Sequence, residues 1–317
     1  MAREARVHRI AAGGPDDMAG LTAAVQRGDL DPAAIVAILG KTEGNGCVND
    51  FTRGFATASL TAWLGRQPAT DPAAAALVMS GGTEGALSPH WIVVEVRDGD
   101  GPATGGKALA VGHVRTEDLP PEAIGRMAQA VAVEAAVRRV VREAAIDTAD
   151  DVHFVQVKCP LLTAPRIAAV EARGGTVATR DTLHSMALSR GASALGVALA
   201  LGELVPAAVE GAIGDAAGPW CSRASCSAGS ELLGHEIVVF GMSPAWRGPL
   251  AVDHAVMADA LDIAPVRAAM TRLGLEGTAQ LDDVARSRLV ALLAKAEAAH
   301  DGAVRGSRHV MLDDSDI

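Results

Sequence analysis

Lysine is scarce in this 317-residue sequence, where 24 of the 28 basic residues are Arg and only Lys41, Lys107, Lys158 and Lys295 are Lys. Arg effectively never gives up its proton, whereas a Lys drawn out of water or crowded by other cations can. A retained Lys therefore invites a reading as a base. Serines recur in a matching pattern: Ser80-Gly81-Gly82-Thr83-Glu84 and Ser227-Ala228-Gly229-Ser230-Glu231 each run Ser, small residue, Gly, any residue, Glu. A Ser hydroxyl is a poor nucleophile until a base removes its proton, and a Ser-Lys pair is a known variant of triad chemistry. Small residues after the Ser let backbone N–H groups approach a carbonyl oxygen closely, as an oxyanion hole requires. Arg53 and Arg190 are suited to hold further carbonyls or an anionic ring. The chemistry is acyl transfer at a carbonyl, with a Lys as base and a Ser as nucleophile. Residue types alone do not choose between the Lys/Ser sets, and Ser225 stands two residues from Ser227.

Other motifs read as structural. Gly40-Lys41-Thr42 resembles the end of a phosphate-binding loop, but that motif needs a Gly where Ile35 stands. Lys107 follows Gly105-Gly106 at the start of a strand and is expected to be structural. Glu84 and Glu231 are expected to cap or to pair with basic groups, and His309 beside Asp313, Asp314 and Asp316 to lie in an exposed acidic turn. Cys47, Cys159, Cys221 and Cys226 show no CxxC spacing, so reduced thiols in a cytoplasm are expected.

The elements that must position these residues repeat along the chain. In a first segment, 1–99, apolar runs at 7–12 and 33–39, helical patterns at 16–27 and 52–64, and strands at 73–79 and 91–96 carry Lys41, Arg53 and Ser80. After a Gly/Asp-rich linker, a second segment, 107–245, replays the order. It has strands at 108–114, 152–157 and 236–240, a long amphipathic helix at 121–145, a helix from Thr163 and another at 181–201 bearing Arg190. A third segment, 251–317, has helical patterns at 256–270 and 282–293 that lead to Lys295, and it ends before a third Ser-Gly-Gly could appear. Alternating strands and helices make this an α/β protein, and three similar units suggest packing about a pseudo-threefold axis.

Composition excludes several classes. A net charge of −10, no basic block, no Tyr, four Phe and four Trp argue against nucleic-acid binding, which uses clustered cations and aromatic platforms. No stretch reaches the ~20 apolar residues of a membrane helix; the run at 192–201 is expected to be a buried helix. No signal-peptide core follows Met1-Ala2-Arg3-Glu4, so a cytoplasmic location is expected.

Together these motifs resemble a known family. Gly40-Lys41-Thr42-Glu43-Gly44-Asn45-Gly46, Asn49-Asp50-Phe51-Thr52-Arg53-Gly54 and Ser80-Gly81-Gly82-Thr83-Glu84-Gly85 are similar to the first repeat of cyanuric acid hydrolases and barbiturases, the ring-opening amidohydrolases. Val157-Lys158-Cys159-Pro160, Ser189-Arg190-Gly191-Ala192 and Ser225-Cys226-Ser227-Ala228-Gly229 are similar to the second. Ala294-Lys295-Ala296-Glu297 and Arg305-Gly306-Ser307-Arg308-His309 are similar to the third.

The resemblance implies three repeats around a central β-barrel with outer helices, and one active site on the axis. It implies that cyanuric acid is opened to carboxybiuret, which loses carbon dioxide to give biuret. Lys158 and Ser227 would be the catalytic dyad, and Lys41, Arg53, Ser80, Gly81, Arg190, Ala228 and Lys295 would bind and polarise the ring. No cofactor is implied for the chemistry, but a structural divalent metal such as magnesium is, with Glu297 as one ligand. A homotetramer is implied, with no nucleic-acid or membrane partner. Barbiturate hydrolysis to ureidomalonate and a non-catalytic cyclic-imide binding protein are the alternatives; a ring with three equivalent carbonyls suits a threefold site better than barbiturate does. Family members continue past Asp314-Ser315-Asp316-Ile317, so the chain is expected to be a fragment. Its third repeat would then be incomplete, the other metal ligands would lie beyond it, and activity would be weak or absent.

Overall fold

The fold is taken from a computed structural model, which describes residues 2–82, 87–99, 106–215, 217–276, 280–294 and 302–308. The first stretch runs β1 (Arg3–Ala11), α1 (Ala19–Gln26), β2 (Ile35–Lys41), α2 (Phe51–Leu64), β3 (Ala76–Ser80) and β4 (His90–Asp98). It continues through β5 (Ala108–Arg115), α3 (Met127–Glu143), β6 (Val152–Pro160), α4 (Ala164–Ala172), α5 (Thr182–Leu201) and α6 (Pro206–Val209). Next come β7 (Ala224–Gly229), β8 (Glu236–Ser243), β9 (Trp246–Arg247), α7 (Ala264–Arg272), α8 (Asp283–Arg288), β10 (Ala303–Val304) and β11 (Ser307–Arg308).

The two main sheets repeat one topology. The first has the order β3-β2-β4-β1, extended by β9, and the second the order β7-β6-β8-β5. In each, a parallel pair forms one edge, β3 with β2 and β7 with β6, and the strands that follow are antiparallel, β4 then β1 and β8 then β5. Even the irregularity recurs, since the register slips between Ile35 and Ala37 in one sheet and between Val152 and Phe154 in the other. The expected threefold arrangement does not extend to the described part of the third segment. It contributes two short helices and the β10–β11 hairpin, and no sheet closes into a barrel among the described residues.

The inner strands β2, β3 and β4 are largely buried on both faces, which is why they read as nearly continuous apolar runs, whereas the outer β1 carries charged residues and is partly exposed. Ile38, Met79, Trp91 and Val93 pack with Leu21, Leu60 and Trp63 of the helices. Ala37, Leu39, Val78, Ile92 and Val94 share a core with Val111, Val155 and Val239 of the second sheet, and with Val133, Val137 and Val140 of α3.

Three helical expectations need correction. The helix expected at 121–145 begins only at Met127; Pro121–Ala123 form a single 3₁₀ turn, and Gly125, at φ +72°, takes the left-handed backbone that no α-helix can run through. The helix at 256–270 is reduced to Ala264–Arg272, and the one at 282–293 to Asp283–Arg288. The apolar side chains at Val256, Met257, Leu261, Ile263 and Leu292, within the expected spans, are exposed, so little burial favours longer helices there. By contrast α5 is capped at both ends, by the Asp181 carboxylate on the His184 amide and by Gly202 at φ +74°. The apolar run at 192–201 lies inside it and is mostly buried, and no described helix is long and apolar enough to cross a membrane.

Candidate active site

Strand register does what spacing in the sequence only hinted at. Ser80 and Ser227 both lie on strands, Ser80 at the end of β3 and Ser227 within β7. The parallel pairing sets Lys41 opposite Ser80 and Lys158 opposite Ser227. Residues level with one another on neighbouring strands send their side chains to the same face. On the other flank of each lysine, the antiparallel strand places His90 opposite Lys41 and Glu236 opposite Lys158.

The two lysines differ in what they touch. Lys41 Nζ donates to Ser80 Oγ at 3.3 Å and to the Gly81 carbonyl at 2.7 Å. Lys158 is 1% exposed; its Nζ donates across to the Met79 carbonyl of the first sheet at 2.9 Å and lies 3.1 Å from Glu231 Oε1. Both ammonium groups thus converge on the backbone of residues 79–81. Burial holds the Lys158 ammonium below the usual lysine range; Glu231 opposes that shift and Arg53 adds to it. Ser227 Oγ is buried and has no hydrogen-bond partner among the described residues. The Lys158–Ser227 pair therefore faces one another in register without a bond between them in this state.

Arg53 ties the two sheets together. It is 3% exposed, and its Nη1 donates to the carbonyls of Ala228 at 3.1 Å and Gly46 at 3.3 Å, its Nη2 to Cys47 O at 2.6 Å. Its Nε sits 3.5 Å from Asp50 Oδ2. Asp50 accepts from the amides of Thr52 and Gly46, at 3.0 Å each, and so caps α2 while fixing the turn after Lys41. The glycines of that turn are there for space. A Cβ on Gly81 would overlap the Asp50 carboxylate and the Gly44 carbonyl, and Gly82 N donates to that same carbonyl at 2.7 Å. Arg190 projects from α5 close enough to Cys159 to influence its thiol. Lys295, Glu297, Glu84 and His309 lie outside the described residues.

Three groups were missed or undervalued in the sequence. Asp50 was visible only as part of a motif, although Asp two residues before Thr at a helix start is a capping signal. Glu231 pairs with a basic group as expected, and the partner is the buried Lys158, a pairing that the sequence did not single out. Glu236 opens an otherwise apolar strand, and burial pushes its carboxyl up to about 7, with Arg115 opposing. Lys107, read as structural, bonds Asp151 at 2.5 Å. None of the four cysteines is in a disulfide; burial raises the thiols of Cys159 and Cys221, the latter to about 12, which leaves them poor nucleophiles. A cavity of 280 Å³ opens beside Lys158, walled by Thr57, Thr61, Arg115, Glu231 and Glu236; Ser80 and Ser227 are not in its lining.

A buried Lys and an unpartnered Ser level with one another, under a shell of Arg and backbone groups, suit amide hydrolysis, and comparison with known proteins decides the lineage. The family model described as amidohydrolase ring-opening protein matches residues 6–317. This chain belongs to that family of ring-opening amidohydrolases. It is 58% identical over 320 residues to the cyanuric acid amidohydrolase of Bradyrhizobium sp. (strain ORS 375), covering 99% of this chain and 86% of that protein. It is 56% identical over 314 residues to that of Azorhizobium caulinodans, covering 99% and 85%. The crystal structure of the cyanuric acid hydrolase from A. caulinodans superposes with a TM-score of 0.89 at 55% identity, over 99% of this chain and 86% of that one. A second solved cyanuric acid hydrolase, described as an innovation by structural concatenation, superposes at 0.92 with 46% identity, over 100% and 87%.

Proposed function

We propose that this chain hydrolyses cyanuric acid, opening its ring to carboxybiuret, which then loses carbon dioxide to give biuret. The single observation that carries the reading is the pairing of a fully buried Lys158 with Ser227 on adjacent parallel strands, the Ser hydroxyl having no other partner among the described residues. Names of relatives at 55–58% identity supply the substrate.

In the proposed reaction, neutral Lys158 accepts the Ser227 proton as Oγ attacks a ring carbonyl carbon. The C–N ring bond breaks, and the departing nitrogen takes the proton from the Lys158 ammonium. Water, with Lys158 again as base, then cleaves the acyl–serine bond and restores the hydroxyl. Backbone groups at Ser80-Gly81 and Ser227-Ala228 are proposed to face the developing oxyanion and the other carbonyls, with Lys41, Arg53 and Arg190 around the ring. Ion-pairing with Glu231 favours the charged lysine, so Lys158 must leave that carboxylate to act. A threefold ring of sites completed by Lys295, a structural ion near Glu297 and a tetrameric assembly are proposed on the family resemblance. Sedimentation equilibrium would test the last.

The test is release of biuret from cyanuric acid by the purified chain, run beside barbituric acid. Turnover of cyanuric acid with little ring opening of barbiturate is the expected result. Preferential turnover of barbiturate would overturn the substrate, and tight cyclic-imide binding without product would overturn the activity.

A further inference from the structure

Away from the lysine–serine pairs, three side chains of metal-ligating type converge from two distant parts of the chain, His153 from one and the adjacent Asp253 and His254 from the other. His153 Nδ1 lies 3.0 Å from His254 Nδ1 and 3.6 Å from Asp253 Oδ1. One ligand atom from each of the three residues falls within 4.8 Å of the others. We propose that His153, Asp253 and His254 form a binding site for a divalent transition metal of the zinc class, pinning the start of the third segment to the second sheet.

The geometry fits the chemistry. Zinc bonds imidazole nitrogen at about 2.0–2.1 Å and carboxylate oxygen at about 2.0–2.2 Å, so ligand atoms around one ion stand about 3–3.5 Å apart. Two nitrogens and one oxygen, with water as a fourth ligand, are the donor set that zinc accepts and a hard cation such as magnesium does not favour. Metal-bound through Nδ1, each imidazole would carry its proton on Nε2.

The placement of His153 is the stronger argument. It stands where the β6–β8 register slips, between Val152 and Phe154, and a bulge of this kind re-aims a side chain. The first sheet has the same slip between Ile35 and Ala37, and the residue there is Val36, packed against the apolar core. The fold thus accepts an apolar side chain at this bulge, and the second unit carries an imidazole instead. The carboxylate is held in place on both oxygens, since Arg272 donates to Asp253 Oδ2 at 2.6 Å and to Oδ1 at 3.0 Å, and the His254 amide donates to Oδ1 at 2.7 Å. Ligating carboxylates commonly have such outer partners. The nearby Arg223 is itself offset by Glu203 at 2.5 Å and Asp150 at 3.7 Å, so its charge is not left to repel an ion.

Isothermal titration of the metal-free 317-residue protein with zinc chloride tests the proposal, with cobalt chloride as a visible-absorbing substitute. One equivalent of zinc is expected to bind, with a rise in the thermal unfolding midpoint. Cobalt should show ligand-field bands of a four-coordinate site without thiolate charge-transfer bands. His153→Val, which copies the residue of the first unit, should keep the native circular dichroism and weaken zinc binding by at least about tenfold, as should His254→Ala. Millimolar magnesium should not displace the zinc. Absence of saturable binding, binding unchanged in both variants, thiolate bands, or displacement by magnesium would each overturn the assignment. In the first case the short imidazole contact is a plain hydrogen bond.

Discussion

At the scale of single residues, the strongest expectation concerns which lysine acts. Lys41 is already bonded to Ser80 and to the Gly81 carbonyl, whereas Lys158 is the one that burial pushes towards neutrality. Lys158→Met and Ser227→Ala should each lower kcat for cyanuric acid by at least about 100-fold, the usual scale for loss of a positioned base or nucleophile. Near-normal turnover by Ser227→Ala would remove the nucleophile assignment. Glu231 should act through the lysine as a positioning residue. Its carboxylate, 3.1 Å from Nζ, favours the ammonium form. Glu231→Gln removes that support, so the pKa of Lys158 falls and the neutral base persists to lower pH. The acid limb of the kcat/KM profile should therefore move to lower pH, a shift that a purely structural role would not produce. An unmoved limb measured in stopped-flow assays across pH would show that Glu231 does not set the charge of the lysine.

At the scale of elements, the entry to β8 joins two neighbouring groups with opposed pH behaviour, His235 just before the strand and Glu236 at its first position. Burial pushes His235 down to about 4 and Glu236 up to about 7. His235 is neutral in the folded chain and takes up a proton more readily when unfolded. Its contribution is present above its unfolded pKa of 6.5 and lost as pH falls through 4. Glu236 works the other way: its charged form is disfavoured in the fold, so stability is full below its unfolded value of 4.5 and declines as pH rises through about 7. Each shift corresponds to on the order of 3 kcal/mol, and the two slopes nearly cancel where they overlap. Glu236→Gln should therefore raise the urea midpoint more at pH 8 than at pH 5. Equal shifts at both values would mean that the carboxyl is solvated. Much of this element structure was legible in the sequence: apolar runs located most strands of both sheets, and recurring Lys and Ser marked the site, but β7, the small-residue strand that carries Ser227, has no apolar run and was not expected. Register was not legible, because pairing depends on which distant strand lies alongside. The sequence could therefore align Lys158 with Lys41 by motif but could not show that Glu236 flanks the one and His90 the other. The helix expected at 121–145 failed at Gly125 for a local reason, a left-handed residue that the apolar periodicity ran straight across.

At the scale of the whole molecule, two sheets of one topology are joined both by a shared apolar core and by a polar clasp, and their magnitudes decide what each does. The core supplies non-directional burial, which resists separation of the units but tolerates small slips between them. Arg53 supplies direction, since one guanidinium reaches Ala228 O in the second sheet and Gly46 O and Cys47 O in the turn after Lys41. Replacing it by Met keeps the bulk but leaves those carbonyls unsatisfied and the buried Asp50 without its cation. Breaking a buried charge pair on one side costs about 3–5 kcal/mol. Arg53→Met should thus lower the stability measured by urea unfolding by that amount. The transition should remain single, because Val78, Ile92 and Val94 of one sheet still pack with Val155 and Val239 of the other. Two separated transitions would mean that the clasp, not the core, couples the units. A loss under about 1 kcal/mol would mean that Arg53 is hydrated in solution, as only an exposed ion pair costs so little to remove.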